Sequence, residues 1–75
     1  MSLTQKLQDK IDYECKYADR DGSTRFSVCD HYSWDRDFWM HRNTIIDAIR
    51  NRGYSVSISS KWGVTDIDVT KIINL

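Results

Sequence analysis

Seventy-five residues with eleven Lys plus Arg against eleven Asp plus Glu give zero formal net charge and room for one domain with one small core. That balance excludes a strongly basic nucleic-acid binder, and no apolar run approaches the roughly 18–20 residues of a membrane span. Two cysteines do not make a disulfide framework, and the opening MSLTQKLQDK lacks the apolar core of a signal peptide. The expected setting is a reducing cytoplasm, with Cys15 and Cys29 as free thiols.

The first predicted element is a helix over residues 2–18. Leu3, Leu7, Ile11, Cys15 and Ala18 recur at spacings of three and four, which puts them on one stripe. Ser2 is its candidate N-cap, with Gln5 as the reciprocal partner. Residues 19–22 read as a polar turn. Residues 24–30 form a strand with Phe26 and Val28 on one face and Arg25, Ser27 and Cys29 on the other. A second helix is predicted over 34–52, with Ser33, Asp35 or Asp37 as cap and Phe38, Ile45, Ala48 and Ile49 as its buried stripe. Asp35 and Asp37 in its first turn and Arg50 and Arg52 in its last suit the helix dipole. Gly53 is the expected left-handed residue past its end. Strands follow at 54–59 and 66–70, joined through a turn or bulged hairpin at 60–64.

The order α-β-α-β-β predicts a single two-layer α+β domain over residues 1–75. Two helices pack on one face of a three-stranded mixed sheet, with a parallel β-α-β crossover and a terminal antiparallel hairpin. The expected core is Leu7, Ile11, Phe26, Val28, Ile45, Ile49, Val56, Ile58, Ile67 and Val69. The far face of the sheet shows Arg25, the serines of the second strand, Asp66 and Asp68. Without disulfides or metal, a core this small predicts a homo-oligomer.

Chemistry-bearing residues concentrate between Cys29 and His41. Cys29, His31 and His41, with Asp37, are the donors a zinc ion could use, but no Cys-x-x-Cys or His-x₃-His spacing is present. The same Cys and His residues are what a thiol enzyme would need, and no oxyanion motif accompanies them. No glycine-rich phosphate loop occurs. The sequence therefore assigns no catalytic residue, metal or cofactor. Surplus aromatics and arginines favour recognition instead: Tyr32, Trp34, Arg36, Trp39 and Arg42 are the candidate binding residues. Trp39 falls one position off the apolar stripe, and Trp62 falls at the hairpin tip.

The run Ile45-Ile46-Asp47-Ala48-Ile49-Arg50-Asn51-Arg52-Gly53-Tyr54-Ser55-Val56, preceded by Gly22-Ser23-Thr24-Arg25-Phe26-Ser27-Val28, resembles the helix-to-strand pattern of small bacteriophage-encoded accessory proteins. The resemblance implies a setting rather than an activity, since such proteins include virion components and antagonists of host defence. The expectation is a non-enzymatic module in the host cytoplasm that binds a host protein or a small nucleotide, with no membrane and no nucleic-acid polymer as partner. A virion-type structural subunit is the alternative, and a metal- or thiol-dependent enzyme on Cys29, His31 and His41 is another.

Overall fold

Local signals start and stop each helix before packing fixes its place. In the computed structural model, which describes residues 4–33 and 35–72, α1 spans Gln5–Asp21. Thr4 is its N-cap, accepting the Leu7 N–H on Oγ1 at 3.4 Å. The Ser2 cap and Leu3 of the predicted stripe lie outside the described residues. The helix runs three residues past its predicted stop, because Asp19-Arg20-Asp21 suits a last turn: Arg20 complements the dipole. Gly22, at φ 88°, then reverses the chain and donates its N–H to Ala18 O at 2.8 Å.

Strand β1 spans Ser23–Cys29. The single helix expected over 34–52 is instead two, α2 (Arg36–Met40) and α3 (Arg42–Asn51), broken at His41 with φ −107° and ψ 21°. Arg42 accounts for the break. Its guanidinium lies 4.0 Å over the Trp39 ring, and Nη1 donates to Trp39 O at 2.7 Å. The Trp39 carbonyl thus takes the Arg42 side chain as well as the His41 N–H at the break. Asp35 is the residue before α2 but does not cap it with its side chain. Gly53 is left-handed at φ 95°, as expected.

Strands β2 (Tyr54–Lys61) and β3 (Val64–Lys71) form the hairpin. The sheet order is β1-β3-β2, and both neighbouring pairs are antiparallel. This corrects the mixed sheet: β1 and β2 do run parallel, but β3 lies between them and no parallel pair is hydrogen-bonded. Cross-strand contacts on the outer face fit this order. Arg25 sits opposite Asp68 and Ser27 opposite Asp66. Arg25 Nε donates to Asp68 Oδ1 at 2.6 Å and its Nη2 to Oδ2 at 3.2 Å, while Ser27 Oγ bonds Asp66 Oδ1. Against β2 alone, those two aspartates would meet only serines.

The inner face of the sheet meets α1 and α3. Leu7, Ile11, Cys15 and Ala18 of α1 and Ile45, Ile46 and Ile49 of α3 bury against Phe26, Val28, Val56, Ile67 and Val69. Nine of the ten expected core residues are buried. The exception is Ile58, which is 47% exposed although it lies opposite Ile67 on the inner face. The helical layer ends between Val56 and Ile58, leaving the tip half of β2 uncovered. Glu14 is buried on the α1 stripe, where Lys10 Nζ at 3.1 Å and the Thr24 hydroxyl at 3.4 Å hold its carboxylate. Paired in this way, a buried charge is tolerated. No helix among the described residues is long and apolar enough to cross a membrane.

Candidate functional site

The hairpin tip departs from what folding alone requires. Trp62 and Gly63 form its two-residue turn with φ of 57° and 75°, the left-handed pair of a type I′ turn. Asn, Asp or Gly normally takes the first place. Trp62 is the one non-glycine residue with positive φ among the described residues, and that conformation costs about 1–2 kcal/mol. Its indole is 82% exposed, so it does not fold back over the hairpin to recover that cost.

The loop leaving β1 is stitched onto this turn. Asp30 N–H donates to Gly63 O at 3.2 Å, and His31 Nε2 lies 2.8 Å from Trp62 O. A carbonyl only accepts, so that nitrogen carries a hydrogen. A Cβ on Gly63 would sit 2.5 Å from Asp30 Oδ1 and 3.2 Å from the imidazole, so any other residue would displace those two side chains. Asp35, 7% exposed, accepts the Cys29 N–H on Oδ2 at 2.7 Å and closes the loop from its other end.

The five residues singled out for binding are placed differently from one another. Tyr32 is 55% exposed in the loop, and Arg36 opens α2 on the surface. Trp39 is half-buried and packs against the core rather than standing off it, with Arg42 stacked on its ring. Trp34 lies outside the described residues. The exposed aromatic that sequence reasoning placed at the tip but did not choose is Trp62. The signal was present: a Trp-Gly pair between two alternating runs leaves space for a two-residue turn and no bulge.

Of the donors weighed for metal or thiol chemistry, the fold unites Cys29 and His31 but joins them to Asp30. His41 sits at the helix break, and Asp37 faces Lys6 across 3.6 Å. The ligand atoms of Cys29, Asp30 and His31 all lie within 4.8 Å of one another. His31 N–H also points at Cys29 Sγ at 3.4 Å. Both cysteines are unpaired; burial pushes the Cys15 thiol up, as expected for an inert core sulfur.

A shallow depression of about 300 Å³ lies on the outer side of α1, lined by Tyr13, Lys16, Tyr17 and Arg20. The Tyr13 and Tyr17 rings stand 4.7 Å apart, and Arg20 covers Tyr17. Arg20 is already held by Asp21 through two hydrogen bonds, of 3.0 and 3.1 Å, so its charge is spoken for. No family model, curated protein or solved structure matches the chain.

Proposed function

We propose that the chain is a non-enzymatic binding module that docks onto a partner protein with the tip of its hairpin and the adjoining loop. The observation that carries this reading is Trp62. A bulky indole occupies a backbone position that disfavours it, projects into solvent, and is supported from below by bonds to its own carbonyl and to Gly63. A large rigid aromatic with low ordering cost is the commonest anchor of protein recognition. Tyr32 lies exposed in the stitched loop, and Arg36 adds a charge with no ion pair among the described residues. A nucleotide is less well served, because Arg20 and Arg25 both face carboxylates. The phage-like setting, with a host protein as partner, belongs to the same proposal and rests on the pattern of residues 22–28 and 45–56.

The test captures partners from host lysate with the wild-type chain and with Trp62→Asn in parallel, then measures direct binding of the purified candidate. Loss of roughly 2 kcal/mol or more in the variant, at unchanged fold, supports the reading. Equal binding by both chains overturns it.

A second reading, self-assembly, has its own support. Strand β2 is an open edge, and its residues 54–60 carry no charge, proline or bulge to deter pairing. Two copies joined along this edge would cover Ile58. Sedimentation equilibrium then gives a dimer that Ile58→Lys returns to monomer; a monomer across the micromolar range contradicts it.

A further inference from the structure

We propose that Cys29, Asp30 and His31 form a site for one divalent transition ion of the zinc type, seated where the loop after β1 meets the Trp62–Gly63 turn. Thiolate, carboxylate and imidazole together are the donor set zinc prefers over calcium or magnesium, which take oxygen alone.

Three features point to a cation. First, Asp30 Oδ1 is closed to solvent and has no hydrogen-bond partner. The ionisable group beside this oxygen among the described residues is His31, with Nδ1 at 3.3 Å, and a dewatered carboxylate oxygen favours a positive charge beside it. Second, His31 uses Nε2–H on the Trp62 carbonyl, which leaves the Nδ1 lone pair free to ligate; fixing the far nitrogen on a carbonyl is how metal-bound histidines are oriented. Third, His31 Nδ1 and Asp30 Oδ1 stand 3.3 Å apart, with all three donor atoms within 4.8 Å of one another, so the Cys29 thiol needs only a side-chain turn to complete the set. Two ligands at zinc distances of about 2.0–2.1 Å, separated by the tetrahedral angle, are about 3.3 Å apart.

The surroundings suit the group. The His31 N–H aimed at Cys29 Sγ is a hydrogen bond that a metal-bound thiolate accepts, and Asp35 holds the Cys29 backbone from the second layer. The Asp30 and His31 side chains are 41% and 60% exposed, so an ion can enter from solvent. Three protein donors leave the fourth position to water.

Cobalt(II) and zinc(II) are the probes, added to the reduced full chain. One equivalent of cobalt should give a thiolate-to-metal charge-transfer band in the near ultraviolet, and zinc should displace it one for one. Cys29→Ser should abolish the band, and Cys15→Ala should keep it. Asp30→Asn and His31→Gln, both at exposed side chains, should each weaken zinc at least about tenfold by chelator competition, with unchanged far-ultraviolet circular dichroism. Absence of the band in the wild-type chain overturns the proposal. So does a band that depends on Cys15, or zinc affinity unmoved in both Asp30→Asn and His31→Gln.

Discussion

The two ends of the sheet obey different rules. At the end where β1 and β2 begin, each left-handed position is a glycine, Gly22 or Gly53. Lys71 N–H closes onto Gly22 O at 2.9 Å, and Tyr54 Oη donates to Asp19 Oδ1 at 2.6 Å, tying strand to helix. At the hairpin tip a tryptophan takes a left-handed position, Ile58 stays uncovered and one oxygen of Asp30 is orphaned. Both ends belong to one three-stranded sheet, so the contrast is not a matter of fold quality. This clustering of departures from local preference is what the recognition proposal rests on.

The largest effect should come from the core that both ends share. Ile49 is fully buried between α3 and the sheet, and Ile49→Ala should cost about 2–5 kcal/mol in urea unfolding. A loss below about 1 kcal/mol would mean that the helical layer carries little of the stability, and the contrast between ends would lose its frame.

Next in size is the anchor that closes the well-behaved end. Tyr54→Phe should cost about 1 kcal/mol through the lost bond to Asp19. The Tyr54 phenol is pushed up to about 12, first by that hydrogen bond and then by burial. An unfolded tyrosine titrates near about 10. The folded state therefore holds this proton more tightly. The stability it confers is complete below pH about 10 and is lost as pH rises through about 12. Alkaline denaturation should show this decline in the wild type and a shallower one in Tyr54→Phe. Identical curves would show that the phenol does not anchor the strand.

Much of this architecture was legible because its signals are local. Apolar spacing located α1 and α3, alternation located all three strands, and Gly53 ended α3 where its conformation required. What escaped depended on partners distant in sequence. The β1-β3-β2 order brings Arg25 against Asp68 across 43 residues, a pairing that no window along the chain displays. The break at His41 comes from Arg42 folding back on Trp39, a rotamer choice that periodicity does not encode. Trp39 sits one position off the stripe, yet it packs half-buried against the core. Glu14 falls on the buried stripe, where Lys10 and Thr24 reach its carboxylate. At the candidate site, Cys29 and His31 were visible as donors, but Asp30 became one only when the turn at Gly63 closed over it.

The contrast between the two ends is tested most directly on Trp62 itself, with no partner required. Trp62→Asn places a residue that favours the left-handed conformation at the first position of the type I′ turn. The urea unfolding free energy should rise by about 1 kcal/mol, because strain is relieved and an exposed indole contributes little to the fold. A fall of about 1 kcal/mol or more would make Trp62 a structural residue and contradict the proposal that this end serves recognition.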